Sequence, residues 1–222
     1  MDAHPTAGRL SAVTALDDPA RRAVYDLVCR RDEPISRDQT ASALGVTRRS
    51  AAFHLDRLAE QGLLAVEFRR LTGRTGPGSG RPSKLYRAAH DEISVSVPDR
   101  RYDLAGEVMA AAIERSVTAG EPVADALAGV ATETGRVIGA AAADLRQALQ
   151  DHGFEPRDDE AGGLLLGNCP FHRLAARHTR VVCGLNLELV RGITAGLGDT
   201  DHVAVLAPAP GQCCVRVRPA RR

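Results

Sequence analysis

Three observations in this 222-residue sequence predict an α+β fold in three parts. Residues 10–90 set three short amphipathic helices ahead of two strand-like runs split by a Gly/Pro-rich loop. After Pro98 the composition turns Ala-rich and helical, and from residue 152 onward short strands and helices alternate.

The first helix is "DDPARRAVYDLVCRR", where Ala20, Ala23, Val24, Leu27 and Val28 recur at three- and four-residue steps and make one face apolar. Asp17 or Asp18 caps it, and Pro19 takes a first helical position, where a missing N–H leaves no bond unmade. In "PISRDQTASALGV" Ser36 caps a short helix, Gln39 completes a capping box, and Gly45 ends it. "VTRRSAAFHLDRLAEQGLL" follows at once, with Thr47 as cap, Ala51, Leu55, Leu58 and Ala59 as the inner stripe, and Gly62 as the stop. Two helices joined by a short turn containing glycine form a helix-turn-helix. The strands "LLAVEFRR" and "KLYRAA" around "LTGRTGPGSGRPS" add a wing, so residues 10–90 read as a winged helix-turn-helix.

Gly120 and Pro122 divide the Ala-rich region 100–151. Asp103–Ala119 reads as a dimerisation helix and Val123–Asp151 as a long connecting helix; an intrachain bundle is the alternative. In residues 152–220, "GFEPR" and "GLLLGN" read as hairpin strands, with helices near Arg173–His178 and Asn186–Leu197. "HVAVLAP" and "CCVRVRP" close this small α/β unit as alternating strands.

Charge is divided between the halves. Residues 1–90 hold 15 Lys and Arg against 10 Asp and Glu, while the remainder holds 14 against 18. A basic first half puts any nucleic acid there. No apolar run approaches the ~20 residues of a membrane span, and "MDAHPTAGRL" lacks the layout of a signal peptide, so a cytoplasmic location with no membrane partner is expected. In that compartment five cysteines are thiols or ligands more often than structural disulfides. The absence of a Gly-rich phosphate loop, HExxH and GxSxG points away from an enzyme, and a Cys169–His172 nucleophile pair has no third group to orient it.

A recognition helix meets base edges with its N-terminal residues. Here Arg48, Arg49 and Ser50 fill those places, with Phe53 and His54 one turn on. Arginine bonds guanine in bidentate fashion, serine takes either base, and phenylalanine touches a thymine methyl. Arg57 suits a phosphate, and the wing arginines Arg74 and Arg81 the backbone or the minor groove. Solvated arginines and a core phenylalanine are the plain alternatives.

Four of the five cysteines fall in residues 152–220: Cys169, Cys183, Cys213 and Cys214. The spacings match no local zinc finger, although Cys169 and His172 stand three apart, a chelating step. Zinc would be satisfied by Cys169, His172, Cys183 and Cys214; iron–sulfur clusters take thiolates. Thiol redox sensing and packing as small hydrophobes remain open, and strand alternation makes one of Cys213 and Cys214 a core residue.

The stretches "DDPARRAVYDLV", "VTRRSAAFHLDRLAEQGLL" and "GRPSKLYR", followed by "NCPFHRLA…VVCGLNLELVRGI…GQCCVRV", resemble bacterial winged-helix regulators. The group is the broad ArsR/DeoR-like one that contains the SufR-related iron–sulfur-sensing repressors. The resemblance implies a homodimer on double-stranded DNA with a palindromic operator, and a C-terminal sensor domain over 152–220. It also implies a [4Fe–4S] cluster on Cys169, Cys183 and one or both of Cys213 and Cys214. Zinc, or a small-molecule pocket without metal, is the alternative.

Overall fold

The computed structural model describes residues 5–69, 82–89, 93–209 and 211–220. The chain divides into two compact units, Met1–Val95 and Ser96–Arg222.

The first unit begins with α1 (Pro5–Ala15), a helix that sequence periodicity does not reveal, because only Ala12 and Ala15 of its visible face are buried against the core. α2 (Pro19–Cys29) starts where expected: the Asp18 carboxylate accepts from the Ala20 and Arg21 backbone N–H groups, with Pro19 in the first turn. Ile35–Ser36, ending on the helix cap, forms the short strand β1, because the two residues pair with Tyr86 and Leu85. α3 (Arg37–Leu44) then follows from the Ser36–Gln39 capping box and ends on left-handed Gly45. α4 (Arg48–Glu60) is capped by Thr47, whose hydroxyl accepts from Ser50 N–H. β2 (Leu64–Arg69) and β3 (Ser83–Ala88) pair antiparallel, giving the sheet order β1-β3-β2. Leu55, Leu58, Val24, Val28, Ile35 and Tyr86 fill the core beneath the helices. Each aliphatic side chain buried there contributes about 1.5–3 kcal/mol. Helix, turn, helix and two strands thus stand where the sequence puts them; most of the wing, with Arg74 and Arg81, lies outside the described residues.

In the second unit α5 (Tyr102–Ala119) packs on α6 (Val123–Ala141). The long helix expected to run to Asp151 is broken. Ala142 is extended and Asp144 caps a separate helix, α7 (Leu145–Asp151), accepting from Gln147 N–H at 2.8 Å. The physical reason was in the sequence: an Asp three residues before a Gln competes for the backbone and starts a new helix. β4 (Pro156–Asp158) and β5 (Leu164–Leu166) make the expected hairpin. α8 (His172–Arg177) leads into α9 (Thr179–Leu197), which starts well ahead of Asn186. β6 (His202–Leu206) and β7 (Val215–Pro219) complete an antiparallel sheet of order β4-β5-β7-β6.

α5, α7, α9 and this sheet share one hydrophobic core, in which Val108, Leu149, Leu166, Leu189, Ile193 and Val217 meet. Residues 100–151 and 152–220 are therefore built around common packing. The tightest part is α6 against α9. Gly135 and Gly139 on α6 face Gly192 and Gly196 on α9, and a Cβ on any of the four would overlap a carbonyl oxygen of the other helix. Such small-xxx-small pairs let two backbones touch.

Candidate functional site

On α4 the burial pattern separates two faces. Ala51, Leu55 and Leu58 are buried, while Arg48, Arg49, Phe53 and Arg57 are exposed. Arg49, Phe53 and Arg57 recur every four residues and so form one outward stripe. Phe53 is 62% exposed. Ser50 is half-buried. His54 lies on the inner side, 9% exposed, with its ring edge-on to Phe53 at 5.3 Å and its Nδ1 buried without a hydrogen-bond partner. The structure thus brings Arg48, Arg49, Phe53 and Arg57 to one surface and places His54 beneath it. The i, i+3, i+7 step from Ala51 through His54 to Leu58 is the signal in the sequence that seats His54 on the core side. Arg48 Nε meets Asp38 Oδ1 at 2.6 Å and Arg57 Nη1 meets Glu60 Oε2 at 3.0 Å. Exposed pairs of this kind contribute little and yield to a stronger anion.

A polar network fixes this helix in the fold, and spacing gave no sign of it. Asp56 accepts from Arg37, Lys84 and Tyr86, which tie α4 to the start of α3 and to β3. Burial opposes ionisation of Asp56, but the bonds from Lys84 and Tyr86 and the charge of Arg37 outweigh it and hold the carboxyl below its ordinary value of 3.8. A group whose folded pKa is depressed adds stability above its unfolded value and loses it as pH falls through the folded value. Asp56→Asn is therefore expected to lower the unfolding midpoint at neutral pH. The gap to the unsubstituted chain should close as pH drops below 3.8, which urea titrations across that range would check.

In the second unit the four cysteines gather from three places. Cys169 lies in the loop after β5, Cys183 in the second turn of α9, and Cys213 and Cys214 just before β7. The Cys213 N–H donates to the Leu166 carbonyl at 2.9 Å, which sets the approach to β7 beside the end of β5. Strand alternation then acts as expected: Cys213 is 1% exposed and points with Val215 and Val217 into the core, while Cys214 turns the other way. The sulfurs of Cys183 and Cys214 stand at disulfide distance, their Cα atoms 6.5 Å apart. That pairing departs from the expectation of unpaired thiols, and it arises because the first turns of α9 run alongside the approach to β7. Cys169 and Cys213 form the second pair, two neighbouring buried thiols. The neighbouring Cys213 lowers the Cys169 pKa and Arg100 adds to the effect, whereas Cys169 beside it, with burial, raises Cys213.

Two asparagines build this site, and no sequence signal pointed to either. Asn186 Nδ2 donates to Cys213 Sγ at 3.1 Å, while its Oδ1 is buried with no partner. Asn168 donates to the Asp99 and Gly153 carbonyls at 2.9 and 2.6 Å and accepts from Arg100, which anchors the loop bearing Cys169. His172 is the exposed first residue of α8. Among the described residues, no group of three or more His, Cys, Asp or Glu side chains is placed to hold a single metal ion. The cysteines thus stand as two pairs, Cys183 with Cys214 and Cys169 beside Cys213, and Asn186 aims a side-chain N–H at the Cys213 sulfur with its own amide oxygen left without a partner.

Residues 16–67 match the family model described as "Helix-turn-helix domain". The first unit thus contains a helix-turn-helix domain, the architecture of DNA-binding regulators. No curated protein and no solved structure matches the chain. No helix among the described residues is long and apolar enough to cross a membrane.

Proposed function

We propose that this chain is a homodimeric, cytoplasmic transcription repressor whose C-terminal cysteines hold a [4Fe–4S] cluster that governs DNA binding. The observations that support the cysteine half are two cysteine pairs brought near one another by the consecutive Cys213 and Cys214, with the Asn186 amide donating to the Cys213 sulfur; cluster binding would require the Cys183–Cys214 pair to be reduced. A multi-iron cluster takes about one thiolate per iron, whereas zinc needs its ligands on a single point. When bound, the cluster supplies an oxidisable cross-link among the four thiolates. Asn186 orients Cys213, Arg100 favours the thiolate of Cys169, and the core around Val215 and Val217 excludes water.

The DNA half rests on the outward stripe of α4. Arg48, Arg49 and Phe53 read bases, with Ser50 at the rim, and Arg57 takes a phosphate. The homodimer is supported by α5, where Gly106, Ala110, Ile113 and Val117 face outward at steps of four, three and four residues. Ile113 is 55% and Val117 78% exposed, an apolar seam of coiled-coil spacing that a second copy would cover.

Selection of bound duplexes from a random-sequence pool tests the DNA half with no operator chosen in advance. An inverted repeat with half-sites about one helical turn apart, ~34 Å, is expected. Recovery of no enriched sequence by anaerobically prepared protein would sink it.

A second reading has its own observation. Cys183 and Cys214 at disulfide distance, beside the Cys169–Cys213 thiol pair, suit a cluster-free thiol switch. Thiol counts before and after mild oxidation, on iron-free protein, separate the two.

A further inference from the structure

The exposed face of α4 carries a carboxylate as well as its arginines. Asp56 follows Arg49 by seven residues, about two turns, so both stand on the same side. Unmasked, Asp56 would repel a phosphate backbone.

It is masked by more positive charge than it carries. Lys84 Nζ and Tyr86 Oη each donate to Asp56 Oδ1 at 2.6 Å. Arg37 Nη2 reaches Oδ1 at 3.2 Å and Oδ2 at 2.9 Å, and Arg37 Nε donates to Tyr86 Oη at 3.0 Å. Two cations on one carboxylate leave a surplus of +1. They also leave donors: an ammonium has three N–H bonds and a guanidinium five, and Arg37 Nη1 has no hydrogen-bond partner among the described residues. The Arg37 and Lys84 side chains are 32% and 30% exposed, so these donors reach solvent while their stems are held. Both cations also lie over the ring of Tyr86, which is fully buried. A surface arginine or lysine ordinarily loses rotamer freedom when it binds an anion; these two have lost much of it in folding, which lowers what binding must oppose.

We propose that Arg37 and Lys84, held on Asp56 and Tyr86, form a clamp for one phosphodiester of the DNA backbone beside the recognition helix. The clamp reads no base, so it strengthens binding to any duplex. The bond from Asp56 raises the pKa of Lys84, which keeps the ammonium charged. This inference rests on the DNA-binding reading above.

The test is the salt dependence of affinity for a mixed-sequence duplex, for the unsubstituted chain, Lys84→Gln, Arg37→Gln and Lys84→Arg. Loss of one phosphate contact should flatten the slope of log affinity against log salt by about 0.9 in each glutamine variant. Lys84→Arg should restore it, as a purely packing role would not require. Lys84 is the chain's only lysine, so its acetylation rate can be followed by peptide mass in the unsubstituted protein; bound duplex should slow it severalfold. Unchanged slopes in the folded variants, or an acetylation rate indifferent to duplex, overturn the clamp and leave the regulator reading standing. A protein that binds no duplex at all removes both.

Discussion

Gly192→Ala is expected to destabilise the second unit by about 3 kcal/mol or more. An added Cβ would stand 2.9 Å from Gly135 Cα on the facing helix, and closer still to the Thr132 carbonyl oxygen. Backbone cannot swing aside as a side chain does, so α6 and α9 must separate. That separation would open the core in which Leu189 and Ile193 are buried. Gly184→Ala, in the same helix, is the control. Nothing lies within 4 Å of its added Cβ, and alanine is the better helix former by about 1 kcal/mol. Urea unfolding of the two variants should therefore move in opposite directions.

The second large effect is on DNA. Arg49→Ala should weaken binding to a selected duplex by about 1–3 kcal/mol, roughly fivefold to 150-fold, with less change on unrelated sequence. Phe53→Ala should cost discrimination at one thymine-bearing position and leave stability almost unchanged, because its ring is 62% exposed. Competition binding on matched and mismatched duplexes measures both. Affinity unchanged in Arg48→Ala and Arg49→Ala would mean that this face does not read DNA.

The first unit was legible because its signals are local. Asp18, Ser36 with Gln39, Thr47 and Gly45 each fix a helix end through a backbone hydrogen bond made within a few residues. The structure draws the same ends. α1 was not legible: its short burial against the core depends on partners far along the chain. The break before α7 was written in Asp144 and Gln147 and was overridden by the Ala-rich run around them. At the cysteines, alternation put Cys213 and Cys214 on opposite faces with one of them in the core, since strand periodicity is local too; the structure shows that Cys213 is the inward one. What periodicity could not give is which element each sulfur faces. The pairing of Cys183 with Cys214, separated by 31 residues, and the bonds of Asn186 and Asn168 are tertiary facts with no spacing signature. The α4–β3 network around Asp56 is hidden for the same reason.

Whether Cys169, Cys183, Cys213 and Cys214 hold an iron–sulfur cluster is decided by visible absorption with iron, sulfide and zinc analysis on anaerobically purified protein, alongside Cys169→Ser. The expected result is a brown protein with iron and sulfide in equal amounts, and loss of both colour and iron in Cys169→Ser. A colourless protein that takes up no iron after anaerobic reconstitution, with or without zinc, would contradict the cluster.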